Sequence, residues 1–263
     1  MTKKILAVVM GVLLVVSAFM FTACGSAFDG KYSEVTKEEV QTFANSVESN
    51  EIDKNANGIK LSCTMENKGV YGGYPYEENY SLSITTVVEE GKLQGEFKLK
   101  SSEKKDKNTE REFNIYVKDN TYYLNRKTVV NGEETENAKK SFPSIVNFDG
   151  IIDMLGLDAF QTESDYKLFK VISDLADEEG VKFYMDTTSR DVTKVKISLQ
   201  QKEDATTQTY GDIYFLFDAS KNLCGFKVDN NYIDGETVMK QSLSIELNSK
   251  GIRFPRDLDS YQA

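Results

Sequence analysis

The sequence has no histidine and no tryptophan, and only three cysteines and three prolines in 263 residues. Without histidine there is no Ser-His-Asp or Cys-His catalytic pair, no histidine metal site and no imidazole switch near neutral pH. Cations are also scarce: 32 Lys plus Arg stand against 42 Asp plus Glu, a net charge of −10. Affinity for nucleic acid comes mostly from Lys and Arg neutralising phosphates, so this balance argues against such a partner. What is present is a globular composition, 40% hydrophobic and 28% charged, with 14 Tyr and 15 Phe supplying aromatic bulk that suits strands.

The one long hydrophobic run lies at the N-terminus. Lys3 and Lys4 precede an apolar stretch over residues 5–21, followed by Phe21-Thr22-Ala23-Cys24-Gly25-Ser26. A basic n-region, an apolar h-region and small residues before a cleavage point make a secretory signal. The run is slightly shorter than the roughly 20 residues of a spanning helix. The tetrapeptide ending at Cys24 resembles a lipobox, with Phe21 where leucine is usual. That resemblance implies cleavage after residue 23 and diacylglycerol on Cys24; the alternative is an uncleaved membrane anchor with an incidental cysteine. Both readings put the rest of the chain outside the cytoplasm, beside a membrane. Two acyl chains give stable anchoring where one is marginal. The acidic chain is repelled by anionic headgroups, so the lipid and not a basic patch would hold it there.

The expected organisation is a signal peptide over residues 1–23, a lipidated cysteine and polar tether over 24–35, and a single domain over 36–263. Thr36-Lys37-Glu38-Glu39 reads as a capping box, with Val35 and Val40 as a hydrophobic staple. Val40, Phe43, Ala44 and Val47 then recur at the spacing of one buried helical stripe, predicting a helix that ends near Ser49. From Gly58 the period becomes two: Ile59, Leu61, Cys63 and Met65 alternate with Lys60, Ser62, Thr64 and Glu66. Similar sets follow at Leu82 to Val88, Leu93 to Leu99, Phe113 to Val117 and Tyr122 to Val130. The charged stretch 103–112 and the aromatic stretch 71–76 read as solvated hairpin tips. Over residues 141–176 the alternation breaks into apolar clusters with helical spacing, predicting two short helices. Period two resumes at Phe183, Val195, Ile213, Phe226 and Leu243.

About ten strands, each with one apolar face, predict an α+β, mainly antiparallel fold. It is expected as a single curved sheet, a half-open β-barrel, with the N-terminal helix and the central helical insert covering an apolar concave face. This element order resembles the LolA/LppX-like lipoproteins, in the hairpin Ile115-Tyr116-Val117-Lys118-Asp119-Asn120-Thr121-Tyr122-Tyr123-Leu124, the closing strand from Leu243 to Leu247, the tail around Pro255, and Tyr261. The resemblance implies a half-barrel whose apolar cavity carries acyl chains or a lipoprotein anchor. On that expectation the cavity lining would be Leu61, Ile84, Phe97, Ile115, Phe148, Ile152, Leu155, Phe169, Ile197, Phe215, Phe226 and Ile245.

Cys63 and Cys224 remain as either one disulfide or two buried thiols. No spacing of Cys, Asp or Glu suggests a metal, no cofactor motif is present, and no nucleophile has a plausible base, so the chain reads as non-catalytic. The favoured expectation is a membrane-anchored carrier or sensor for a lipid-like ligand. The alternative is an envelope scaffold lipoprotein with an unidentified protein partner and no small ligand. A carboxylate hydrolase is a distant third.

Overall fold

The computed structural model describes residues 27–47, 58–71, 73–89, 92–105, 107–119, 121–143, 175, 180–202, 207–247 and 252–261. They form β1 (Ser33–Val35), α1 (Lys37–Asn45), β2 (Gly58–Tyr71), β3 (Tyr74–Glu89), β4 (Lys92–Lys104), β5 (Asn108–Lys118), β6 (Thr121–Val130), β7 (Glu133–Pro143), β8 (Val181–Asp186), β9 (Val192–Lys202), β10 (Thr207–Asp218), β11 (Leu223–Asp234) and β12 (Thr237–Leu247), followed by a 3₁₀ turn, Leu258–Ser260. The twelve strands make one unclosed sheet in the order β1-β8-β9-β10-β11-β12-β2-β3-β4-β5-β6-β7. Every neighbouring pair is antiparallel. Two meanders, β2–β7 and β8–β12, thus meet at the β12–β2 seam, where Leu61 pairs with Ile245.

Ten strands were expected. The two additional ones lie at the sheet's edges, where the apolar signal is weakest. β1 falls in the expected tether: Ser33–Val35 pairs with Val35 opposite Phe183. β7 carries Glu133, Glu134, Lys139 and Lys140 and has no clean apolar face, since charge on an edge strand blocks pairing with another chain. Its hairpin is set by Asn131 and Gly132, both at positive φ (52° and 85°), the backbone of a type I′ turn. The stretch 103–112, expected as a loop, is mostly strand, because β4 runs to Lys104 and β5 begins at Asn108. Of the expected central helices, Ser141–Pro143 instead ends β7. The rest, with Phe148, Ile152, Leu155 and Phe169, lies outside the described residues except Leu175, which is buried in the core.

Alternation gives the sheet two faces of different chemistry. Cross-strand partners carry one apolar row from Met185 and Val195 through Phe215, Phe226, Ile245 and Leu61 to Ile84, Phe97 and Ile115. α1 covers this face at β8–β11. The expected capping box is formed: Glu39 N–H donates to Thr36 Oγ1 at 3.2 Å, and Thr36 N–H to Glu39 Oε2 at 2.8 Å. Val40, Ala44 and Val47 pack into a cluster with Phe183, Val195, Ile197, Phe215 and Phe217, and the Phe43 and Phe217 rings meet edge-on at 5.2 Å.

Both ends of the described chain pack on the other, polar face. Phe28, 2% exposed, and Tyr32 meet the Tyr214 ring edge-on at 6.2 and 6.0 Å. Asp186 ties this segment down, accepting from Lys31 N–H at 2.8 Å and from Thr188 N–H and Oγ1–H at 2.9 and 2.6 Å. At the sheet's other side the C-terminal tail lays Phe254 against Tyr116 and Tyr261 against Tyr123, and Lys139 pairs with Asp257 at 2.5 Å. Burial pushes the Tyr116 phenol up to about 12, with Glu96 adding to the shift.

Phe217 is completely buried. Phe217→Ala should therefore cost about 3–5 kcal/mol, read as a lower urea midpoint at unchanged slope. Asp186→Asn should cost about 1–3 kcal/mol, because three donors lose a charged acceptor. The Thr188 hydrogen bonds hold the Asp186 carboxyl below its ordinary 3.8. Its contribution is thus full above that value and lost as pH falls through the lower folded value. Thermal melts from neutral to strongly acidic pH should show the wild-type advantage over Asp186→Asn vanishing only at the acid end.

Candidate functional site

A cavity of about 910 Å³ lies along the polar face, lined from β10 and β11 across the seam to β5 and β6. Directly partnered positions carry the lining: Asp212 with Asp229, Ser242 with Thr64, Ser81 with Lys100, and Glu112 with Lys127. β10 and β6 are seven strands apart, roughly 33 Å on a flat sheet. A cavity that touches both requires the sheet to be concave on this face. The concave side is therefore polar, where the alternation had suggested the apolar side. Small hydroxyls at the seam leave room there, while α1 covers the opposite face.

Strand directions distinguish the two ends of the trough. The β2–β3, β4–β5, β6–β7, β9–β10 and β11–β12 hairpin tips share one end of the sheet. At the other end, the 27–32 segment packs over Tyr214 and the C-terminal tail over Tyr116 and Tyr123, each one or two pleats beyond lining residues of its own strand. At the hairpin-tip end Tyr74 stands 74% exposed.

The lining is charged but locally compensated. Lys100, Lys104, Lys127, Lys227 and Lys240 face Glu66, Glu110, Glu112, Asp212 and Asp229, a local balance in a chain of net charge −10. Lys227 pairs with Asp229 at 2.7 Å, Lys196 with Asp212 at 2.9 Å, Lys100 with Glu112 at 3.3 Å and Lys240 with Glu66 at 3.5 Å. A hydrogen bond from Lys68, with Lys240 nearby, holds the Glu66 carboxyl below its ordinary range. Burial raises the Glu112 carboxyl, but the hydrogen bond from Asn114 and the charges of Lys100 and Lys98 outweigh it and leave a net lowering. Both are ionised at neutral pH and so are poor proton donors. Asp212 also accepts from Ser198 at 2.5 Å and Tyr214 at 3.1 Å. The arrangement presents alternating donors and acceptors, not an acid paired with a base. Among the described residues no group of three or more Cys, Asp or Glu is placed to hold a metal ion.

The lining expected from sequence lies elsewhere. Leu61, Ile84, Phe97, Ile115, Phe215, Phe226 and Ile245 form one continuous row across neighbouring strands, and Ile197 sits one pleat along on the same face. The sequence thus grouped them on one face, but none of them lines the trough. Ile84, Ile197, Phe215 and Ile245 are buried and the others half-buried. Cys24 lies outside the described residues. Cys63 and Cys224 form no disulfide: they lie on strands two positions apart, β2 and β11, a separation of about 10 Å that exceeds disulfide reach. Burial pushes the Cys224 thiol up to about 11. The trough residues escaped the sequence reading because each looked like an ordinary solvent-facing alternate. Their signal is the run of small polar side chains, Thr64, Ser81 and Ser242, continued one pleat on by Ser62, Ser83 and Ser244, where exposed strands usually carry longer ones.

No protein-family model and no curated protein matches the chain. Among solved structures it is similar to a beta-barrel-like protein of a domain of unknown function from Brucella abortus, at 9% identity and a TM-score of 0.29, over 73% of this chain and 98% of that one. It is also similar to the ywiB protein from Bacillus subtilis, at 8% identity and a TM-score of 0.16, over 79% and 99% of the two chains. A third is the translocator domain of the autotransporter NalP from Neisseria meningitidis, at 7% identity and a TM-score of 0.20, over 82% and 95%. Likenesses this distant carry no conclusion about function.

Proposed function

We propose that the protein is a non-catalytic binding lipoprotein of the cell envelope, anchored through Cys24, that holds a polar ligand in the trough of its open sheet. The observation that carries this reading is the cavity of about 910 Å³, lined by paired charges and small hydroxyls. Its volume falls in the usual range of ligand pockets. Envelope location rests on the lipobox-like Phe21-Thr22-Ala23-Cys24 and on the order of elements that resembles the LolA/LppX-like lipoproteins. A lipid-like ligand on the apolar face has less support, since half of the described candidates there are buried.

Cys24→Ala should shift the protein from the membrane to the soluble fraction and change its apparent mass. An unchanged fraction and mass would remove the anchor. For the ligand, the protein isolated from its own membranes should carry a polar molecule detectable by native mass spectrometry, and Thr64→Trp, which fills the trough at the seam, should abolish that adduct while the fold still melts cooperatively. An apolar adduct that survives Thr64→Trp and disappears in Phe97→Trp would instead assign the apolar face and a lipid.

A further inference from the structure

The segment before β1 is fastened to the sheet by more than its two rings on Tyr214. Phe28 is 2% exposed, and Tyr32 O–H donates to the Phe28 carbonyl at 2.8 Å, which closes residues 28–32 into one turn. Lys31 N–H donates to Asp186 Oδ2 at 2.8 Å, and Lys194 Nζ donates to the Asp29 carbonyl. Gly30 lies so close to the same carboxylate that a Cβ there would stand 2.5 Å from Asp186 Oδ2 and 3.3 Å from Lys194 Cδ. Thr188 N–H and Oγ1–H hold the other oxygen of Asp186, so the carboxylate cannot swing aside without giving up a donor. From Ser33 the chain passes directly into β1, paired with β8, and then into α1 with Val40 fully buried. The polypeptide is therefore fixed from Phe28 onward, inside what reads in sequence as a polar tether.

That fixation shortens the leash. Cys24 precedes Phe28 by four residues, at most about 14 Å of chain, whereas a loose segment would leave nine residues to Ser33, at most about 32 Å. Tyr214 stands four residues from the end of β10 at Asp218, about 13 Å of strand. A leash of about 14 Å that starts on Tyr214 reaches little beyond that end of the sheet, where the turns 187–191 and 218–222 lie. We propose that residues 28–32 are a rigid mount: with lipid on Cys24 they hold the domain at one height and tilt over the bilayer, and the turns 187–191 and 218–222 are its lipid-facing surface. This rests on the anchor through Cys24 and is independent of any ligand in the trough.

The test uses the lipidated chain on phosphatidylcholine vesicles, with Cys63→Ala and Cys224→Ala and a donor fluorophore on Tyr74→Cys at the far end of the sheet. Time-resolved energy transfer to an acceptor in the headgroup layer reads the height of that end, and hydrogen exchange of the Lys31 amide reads docking of the mount separately. This parent chain should give one narrow height distribution and a protected Lys31 amide. Gly30→Ala and Phe28→Ala should each speed Lys31 exchange by about tenfold or more and broaden the distribution toward the bilayer, while the sheet amides stay protected. Lys31→Ala should change neither, because its backbone N–H makes the contact. A broad distribution in the parent, or a narrow one kept by variants whose Lys31 exchange shows release, would overturn the mount. A fast-exchanging Lys31 amide in the parent would overturn the docking itself. A parent chain with a protected Lys31 amide that does not stay on vesicles would overturn the anchor, and the mount with it.

Discussion

The pairing of β12 with β2 is the joint on which the molecule depends. Every other contact between long strands is a hairpin, formed between neighbours in sequence, but this one brings Leu61 against Ile245 and Thr64 against Ser242 across most of the chain. Side-chain period is two, so a one-residue slip at the seam would turn the apolar row of one meander to the polar face of the other. Both sides mark the register. On the apolar face Cys63 meets Leu243 and Ile59 meets Leu247; on the polar face Lys60 pairs with Glu246 at 3.2 Å and Lys240 with Glu66 at 3.5 Å. The trough is divided between the two meanders, so its floor exists only when this register is correct. Loop closure over such a separation is slow, and a sheet of this kind is expected to fold at the slow end of the range for its size.

A concave polar face is an unusual thing to bury. Exposed ion pairs contribute little, and buried ones roughly cancel their desolvation. The pairs here fall between: the Lys227 and Asp229 side chains are 19% and 22% exposed, and they also sit beside the Tyr214 ring, 5.1 Å from Lys227. Their net contribution is small, but losing one partner would leave the other charge half-desolvated, which is the costlier state. The apolar face supplies the stability, through α1 and the core cluster around Phe217. The polar face is held in place by that core and is free to be specific.

Much of this was legible in the sequence. The capping box at Thr36, the period-two runs and the grouping of Leu61, Ile84, Phe97 and Ile115 on one face all follow from local pattern, because burial of one face forces alternation. β7 was not legible, because a charged edge strand has no face to bury, although Asn131-Gly132 marks its turn. Nor was the direction of curvature. Alternation separates two faces but does not say which is concave, and apolar residues are equally at home inside a half-barrel or under a helix. Ser62 and Asn114 therefore looked solvated, yet the sheet bends around them and both chain-end segments pack beyond them. The chain-end segments were illegible for a related reason: Phe28 and Tyr261 find partners far away in sequence, on β10 and β6.

The position of the proposed anchor bears on which face is functional. Phe28 packs on Tyr214, one pleat beyond the trough's lining on β10, and Cys24 precedes it by four residues, at most about 14 Å of extended chain. An acylated Cys24 would therefore hold that end against the bilayer and point the hairpin-tip end away. From Tyr214 to the start of β10 at Thr207 is seven residues, about 23 Å of strand, so the hairpin-tip end would stand well clear of the headgroups. A protein that takes acyl chains from its own membrane gains by opening toward it. A trough held with its hairpin-tip end outward, lined by hydroxyls and compensated charges, would be placed instead to meet something polar arriving from the aqueous side.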